Sequence, residues 1–220
     1  VSLRPMRSVL CSTLMFLALL MAAPAKATGP LDRLSQAAPS LDRRVLALAL
    51  QARACAARSG DVGERLAVID YSRPSTEVRM WVFDVAAGRL LHAEHVAHGR
   101  GSGENLATAF SDVDGSHKSS LGLFRTAETY VGGNGYSMRM DGLEPGFNGR
   151  ARERLIVMHG ADYVDPAQAK RQGRPGRSFG CPAVRSEVAR VVIDSLKDGQ
   201  LLFAYAADAD WRANSLLLNC

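Results

Sequence analysis

The chain of 220 residues has little aromatic character and no repeat architecture. Phe, Trp and Tyr make up only 6% of the residues, whereas 47% are hydrophobic and 22% are charged. This balance is typical of a soluble globular protein and excludes disordered and collagen-like chains. A chain of this length can bury a proper core without help from metals or many disulfides. We therefore expect one globular domain with a short additional segment.

No apolar run reaches the roughly 20 residues that a membrane-spanning helix needs. The N-terminal run covers residues 9–23, follows Arg4 and Arg7, and precedes the small-x-small segment Ala25-Lys26-Ala27. This pattern predicts a secretory signal peptide over residues 1–27. We therefore expect a periplasmic or cell-envelope protein with no stable membrane anchor.

The sequence also lacks the clustered basic stripe that is typical of nucleic-acid binding. Removing residues 1–27 takes away three basic residues and no acid, so the formal charge falls from +5 to +2. The main basic cluster that remains, residues 170–177, is predicted to be a short loop rich in Gly and Pro. Nucleic acid is therefore not expected among the partners.

A complete set of metal ligands is missing as well. His92, His95 and His98 recur every third residue, but their segment alternates as a strand, which puts His95 on the opposite face. No cluster of Cys or carboxylate residues completes a zinc set. We expect no metal and no cofactor, and His98, beside a Gly-rich loop, is expected to border the functional site.

What the chain does have, from Arg65 onward, is a series of short segments rich in Val, Ile, Phe and Tyr. Such segments are typical of strands. They cover residues 66–71, 78–85, 90–97, 122–126, 137–140, 155–159 and 200–206. The pattern predicts a mainly β (α+β) domain over residues 65–220 in which most strands are antiparallel.

Two helices are predicted around this domain. Residues 28–64 are expected to form a small-residue linker to Ser40, followed by a support helix that Ser40 caps. A second helix is predicted from Ser186, with apolar residues at helical spacing, and ends at Lys197-Asp198-Gly199. The tail carries Leu216-Leu217-Leu218 and is expected to dock on the domain.

The cysteines are few and odd in number once the leader is removed: Cys55, Cys181 and Cys220. In an exported chain, at least one thiol is then free or pairs between chains. Cys181 ends a Gly/Arg loop and precedes the second helix, whose amide groups favour a thiolate. Because Cys55 lies on the support helix and Cys220 on the docked tail, we predict that these two pair and leave Cys181 free.

A nucleophilic cysteine usually needs a neighbouring base, because an ordinary thiol is mostly protonated at neutral pH. His159 is the best placed histidine, since it closes an apolar strand at what is expected to be a sheet edge and is followed by Gly160. A buried thiol and a hydrogen-bonded core histidine are the alternative explanation of the same two residues.

The wider sequence pattern around these residues resembles that of a known family. His159-Gly160, a spacer, and Ser178-x-Gly180-Cys181 resemble the active-site signature of the L,D-transpeptidases. Residues 98–103, 119–122, 142–144 and 181–184 resemble the murein L,D-transpeptidase branch, so the resemblance spans about residues 90–205. It implies an L,D-transpeptidase-like β-sandwich or mixed sheet, attack by Cys181 on a peptidoglycan stem peptide, and His159 as base. It also implies that a backbone carbonyl near Gly160 orients His159.

The chain departs from the better-known branch at two positions. Phe179 stands where that branch has a second histidine, and Ala183 stands where it has a basic residue. The amides of Gly180 and Cys181 are expected to form an oxyanion hole. Ser178, and Arg177 or Arg185 as a substitute cation, are candidates for substrate contacts.

The resemblance leaves three functions open. The first is an exported transpeptidase that joins stem peptides through a Cys181 acyl-enzyme. The second is an L,D-carboxypeptidase or endopeptidase that uses the same dyad with water as acceptor. The third is a non-catalytic wall-binding protein in which Cys181 is a disulfide partner.

Overall fold

The computed structural model of the protein describes residues 1–2 and 29–220. The predicted signal peptide therefore lies almost entirely outside the described residues. Within residues 29–220, none of the helices is long and apolar enough to cross a membrane.

The described residues form a single sheet of nine strands in the order β3-β2-β1-β9-β5-β6-β7-β8-β4. The strands are β1 (Arg65–Asp70), β2 (Met80–Asp84), β3 (Arg89–Glu94), β4 (Val96–Ala97), β5 (Gly122–Gly132), β6 (Gly135–Gly142), β7 (Val157–Gly160), β8 (Ala183–Val184) and β9 (Leu201–Tyr205). Two neighbouring pairs, β1 with β9 and β7 with β8, are parallel, and the others are antiparallel. The prediction of a mainly β (α+β) domain with a mixed sheet is confirmed.

The two outer strands of the sheet lie next to each other along the chain. Only His95 separates the end of β3 from the start of β4. The sheet must therefore curl until its edges approach, so that it is nearly closed. Arg79 is fully buried at this seam, where its Nε and Nη2 donate to the Val96 carbonyl at 3.0 and 2.8 Å.

The core follows from the apolar composition of the central strands. In β1 and β9, every residue from Leu66 to Asp70 and from Leu201 to Ala204 is buried, because helices cover these strands. Helix α4 (Ser186–Leu196) contributes a buried stripe of Ala189, Val192, Ile193 and Leu196 at helical spacing. This helix packs on β7, the strand that carries His159.

The N-terminal segment contains two helices where one helix and a linker were predicted. Helix α1 (Pro30–Ala37) occupies the expected linker and starts with a proline in its first turn, where the missing N–H costs nothing. Helix α2 (Arg43–Ala57) is capped by Asp42, whose side chain accepts from the Arg44 amide at 2.6 Å. The predicted cap Ser40 instead accepts a hydrogen bond from Trp81 Nε1.

Two further helices were not predicted. Helix α3 (Pro166–Gln172) includes the first part of the basic segment that was expected to be a loop. Helix α5 (Ala209–Asn214) precedes the tail, in which Leu218 is buried and its carbonyl accepts from Gln51 Nε2 at 2.6 Å. The tail therefore docks on α2.

The cysteines of the described residues divide as predicted. Cys55 on α2 and Cys220 in the tail form a disulfide that joins positions 165 residues apart. Cys181 is a free, buried thiol.

Candidate active site

Cys181 and His159 line the same cleft, which has a volume of about 270 Å³. Strand β7 carries His159 and pairs in parallel with β8, so that His159 lies opposite Ala183. Cys181 lies two residues before β8 and is thereby placed close to the histidine strand. The other lining residues are Asn134, Tyr163, Arg177, Ser178 and Phe179.

His159 lies next to the last residue of β7, as the predicted strand end requires, and β7 lies inside the sheet between β6 and β8. The surroundings of Cys181 differ from the prediction in one way. Strand β8 separates Cys181 from α4, which begins at Ser186. The amide groups of that helix therefore do not adjoin the thiol, and the expected stabilisation of a thiolate by the helix is absent.

The thiol of Cys181 is held by the segment before β7. Its side chain lies 3.7 Å from the Leu155 carbonyl, to which the S–H can donate, and the Val157 amide donates to Sγ at 3.5 Å. Burial raises the pKa of Cys181, while the Val157 N–H and the Arg154 charge act in the opposite direction. The net shift is upward, so the resting cysteine is a thiol.

His159 has a defined tautomer. Its Nδ1 lies 2.9 Å from the carbonyl oxygen of Gly160, which can only accept a hydrogen bond, so Nδ1 carries the proton. In the neutral ring, Nε2 then has the free lone pair. Burial lowers the pKa of His159, and the contact with Gly160 only partly offsets this effect. The resting cleft therefore holds a neutral imidazole and a neutral thiol.

Ser178 organises the loop that ends at Cys181. Its hydroxyl donates to the Cys181 carbonyl at 2.6 Å and accepts from the Gly180 amide at 3.1 Å. The Gly180 N–H is therefore occupied, in contrast to its predicted role in an oxyanion hole. The Cys181 N–H is left as the candidate donor from this loop. Gly180 itself has a φ of 126°, which favours glycine.

The Gly-rich segment after β4 supports this loop from behind. A Cβ at Gly99 would clash with the His117 carbonyl oxygen and come within 2.8 Å of the Gly180 Cα, so these backbones can approach only because residue 99 is glycine. The Ser119 hydroxyl links them, accepting from the Gly99 amide at 3.0 Å and donating to the Gly180 carbonyl at 3.0 Å. Segments 98–103 and 119–122 thus act by positioning the cysteine loop.

Arg154 fixes the segment on the other side of the thiol. Its guanidinium is almost fully buried and lies 3.6 Å from the Asp112 carboxylate. It donates to the Ser120 hydroxyl at 2.6 Å and to the Lys118 carbonyl at 2.9 Å. Sequence reasoning missed this residue, because an arginine outside a motif resembles a solvated surface residue.

The comparison with protein families is decisive for the assignment. Residues 37–205 match the model of the L,D-transpeptidase catalytic domain, which covers more than half of the chain. The chain belongs to this family. A comparison with curated proteins finds no relative that matches.

Solved L,D-transpeptidases resemble the chain at low identity. An enzyme from Mycobacterium smegmatis has a TM-score of 0.41 and 14% identity, over 66% of this chain and 60% of its own. An enzyme from Mycobacterium tuberculosis has a TM-score of 0.42 and 13% identity, over 66% and 59%. A mutant enzyme from Enterococcus faecium has a TM-score of 0.38 and 14% identity, over 64% and 50%. The chain thus spans about 60% or less of the length of these three structures.

The two arginines proposed as substitute cations of this L,D-transpeptidase domain are both paired. Arg177 lines the cleft but donates to the Gly103 carbonyl at 2.7 Å and to the Glu104 carboxylate at 2.8 Å. Arg185 makes two hydrogen bonds to Glu94 at 3.0 and 3.1 Å and does not line the cleft. Each guanidinium therefore already has a carboxylate partner that offsets its charge.

His98 is not at the cleft, in contrast to the prediction. It is fully buried, with Nδ1 2.7 Å from Arg79 Nη2 and Nε2 3.2 Å from the Gly103 carbonyl. Burial, and secondarily the Arg79 charge, lower the pKa of His98 to about 4. The ring is therefore neutral and structural. Its backbone carbonyl still supports the site, because it accepts from the Ser178 amide at 3.0 Å.

Two lining residues of the cleft were missed by sequence reasoning. Asn134 lies in the turn between β5 and β6, which was predicted only as a loop. Tyr163 packs against Gly176, and burial raises the pKa of Tyr163 to about 12. Neither residue belongs to a motif that would have singled it out. No group of three or more His, Cys, Asp or Glu side chains in the described part of the chain is arranged to hold a metal ion.

Proposed function

We propose that the protein is an exported L,D-transpeptidase that joins peptidoglycan stem peptides through an acyl-enzyme on Cys181, with His159 as general base. One observation carries the proposal. In a chain of this family, a free thiol shares a cleft with a histidine whose Nδ1 proton is held by the Gly160 carbonyl. The lone pair of Nε2 is thus kept available for the proton of a nucleophile.

The first half-reaction starts from the neutral pair. His159 Nε2 takes the thiol proton as Sγ attacks the carbonyl carbon that precedes the terminal D-alanine of a donor tetrapeptide. The tetrahedral oxyanion is stabilised by backbone N–H groups, for which that of Cys181 is the available candidate. When the intermediate collapses, the C–N bond breaks, His159 returns the proton to the leaving amine, and a thioester remains.

The second half-reaction transfers the acyl group. The amine of an acceptor stem peptide attacks the thioester carbon, its proton passes to His159, and the thiol is regenerated as the new amide bond forms. The reaction as written needs no cofactor.

The cleft favours an amine over water as acceptor. Among its lining residues, only His159 is a base near neutral pH, since the raised pKa of Tyr163 keeps its hydroxyl protonated. A neutral amine is a better nucleophile than a water molecule that no second base activates. The Phe179 side chain does not add to this argument, because 64% of the residue is exposed.

The test is the product of purified enzyme and disaccharide tetrapeptide that contains diaminopimelate. We expect a dimer whose mass is two substrates minus one D-alanine, and no product from Cys181→Ala. If only tripeptide and free D-alanine appear at every acceptor concentration, the protein is a carboxypeptidase. Consumption of added dimers identifies an endopeptidase, and an unchanged substrate with an unreactive Cys181 identifies a non-catalytic protein.

Export is part of the same proposal and rests on the N-terminal sequence. The pattern of residues 1–27 predicts that cleavage leaves Thr28 as the first residue of the mature, periplasmic protein. N-terminal sequencing of the protein recovered from the cell envelope tests this position.

A further inference from the structure

Three side chains stack together, and one of them, Phe179, lines the cleft. The Cζ atom of Arg100 lies 4.5 Å from the centre of the Phe179 ring, and the His117 ring lies 4.7 Å from the same ring. Nε and Nη2 of Arg100 donate to His117 Nδ1 at 3.2 and 3.0 Å. We refer to Arg100, His117 and Phe179 as the rim stack.

The backbone fixes the rim stack next to the nucleophile. The Arg100 amide donates to the Ser178 carbonyl at 2.8 Å, and the Gly101 amide donates to the His117 carbonyl at 2.9 Å. Phe179 lines the cleft and lies two residues before Cys181. The guanidinium of Arg100 therefore stacks on a ring that lines the cleft, although Arg100 is not itself a lining residue.

The guanidinium of Arg100 has no carboxylate within 4.0 Å among residues 29–220, whereas Arg177 and Arg185 are paired at 2.8 and 3.0 Å. Its hydrogen-bond partner His117 accepts through Nδ1 and carries no negative charge. A guanidinium has five N–H donors, of which His117 engages two. Stacking on an aromatic ring orients such a group without neutralising it.

We propose that the rim stack is a carboxylate-binding subsite, in which Arg100 receives a carboxylate of the donor stem peptide. The assignment rests on the proposed function for the identity of the ligand. A donor tetrapeptide offers two carboxylates near the reacting bond, one on its terminal D-alanine and one on the diaminopimelate side chain. The planar fork of arginine suits either group, because both can accept two parallel hydrogen bonds.

The first experiment measures binding without turnover. Disaccharide tetrapeptide is titrated into the Cys181→Ala protein and into Cys181→Ala/Arg100→Gln, and Kd is measured by calorimetry. The same titrations use a peptide amidated at the terminal D-alanine and a peptide amidated at the diaminopimelate carboxyl. We expect Arg100→Gln to raise Kd for the unmodified peptide by about tenfold. Circular dichroism establishes that both proteins are folded.

The amidated peptides identify the carboxylate. Amidation of the group that Arg100 binds should raise Kd as much as Arg100→Gln does, and the two changes together should add nothing further. Amidation of the other group should leave the effect of Arg100→Gln intact. Arg185→Gln is the matched control and should leave Kd unchanged, since Arg185 is paired with Glu94.

The active enzyme supplies the second readout. Arg100→Gln should raise KM for the unmodified tetrapeptide with kcat within about twofold of wild type, because the contact is made in the ground state and kept in the transition state. An unchanged Kd, an equal increase for all three peptides, or no binding of any peptide would overturn the subsite. Carboxylate-dependent binding without turnover would instead leave the subsite standing and refute the proposed function.

Discussion

Ser119→Ala is expected to lower the free energy of unfolding, because Ser119 links the two backbone segments that support the cysteine loop. The hydroxyl is buried, with 1% of the residue exposed. It accepts a hydrogen bond from the Gly99 amide and donates one to the Gly180 carbonyl, at 3.0 Å each. Removing it strands one buried donor and one buried acceptor. Each such group costs about 1–3 kcal/mol, and the costs of neighbouring groups are not fully additive, so we expect a loss of about 2–4 kcal/mol in the free energy of unfolding.

The assay is thermal and urea unfolding followed by circular dichroism. For a domain of this size, the loss corresponds to a fall in Tm of about 5–15 °C. Ser111→Ala is the matched control, because its hydroxyl accepts from the Val113 amide at 3.0 Å in a more exposed setting, and it should cost less than about 0.5 kcal/mol. Equal stability of the two variants would refute the supporting role of Ser119.

Three further predictions follow from the site and its frame. Because burial lowers the pKa of His159, the base stays neutral to a lower pH than an ordinary histidine. The acid limb of the kcat/KM profile should therefore lie below about pH 6.5. A limb at or above that pH contradicts the assignment of His159 as base. Reduction of the Cys55–Cys220 disulfide should lower the free energy of unfolding by about 2–5 kcal/mol in urea titrations with and without reductant, and an unchanged midpoint would show that the tail contributes little constraint. Gly99→Ala should displace the cysteine loop, since its Cβ would come within 2.8 Å of the Gly180 Cα. The rate of thiol modification at Cys181 should therefore change. Gly133→Ala is the control, because the space around Gly133 is open.

The parts of the site that belong to local motifs were predictable from the sequence. His159, Gly160 and Cys181 were found because their sequence pattern resembles a family signature. The structure brings His159 and Cys181 to one cleft, and the Gly160 carbonyl contacts His159. The role of Arg100 was not predictable, because it depends on residues 17 and 79 positions away in the chain. The pairing of Arg177 with Glu104 was hidden for the same reason.

The missed elements of the fold have specific causes. Helix α3 carries recognisable end signals, since Asp165 caps it, Pro166 opens it, and Gly173 ends it with a φ of 82°; the basic residues between them hid these signals. The hairpin of β5 and β6 extends beyond the predicted strands because its outer half is half-exposed. There, ion pairs such as Arg139 with Glu128 replace the hydrophobic alternation that a pattern can detect.

The pairing of β1 with β9 sets the order in which the chain can fold. Strand β9 lies at the centre of the sheet, yet it is the last strand along the chain and joins residues 66–70 to residues 201–205. The neighbours β1 and β5 have no central partner until residue 205 has left the ribosome. Such distant pairings fold slowly because a long loop must close first. The sheet of a nascent chain therefore stays incomplete until nearly the whole domain has been synthesised.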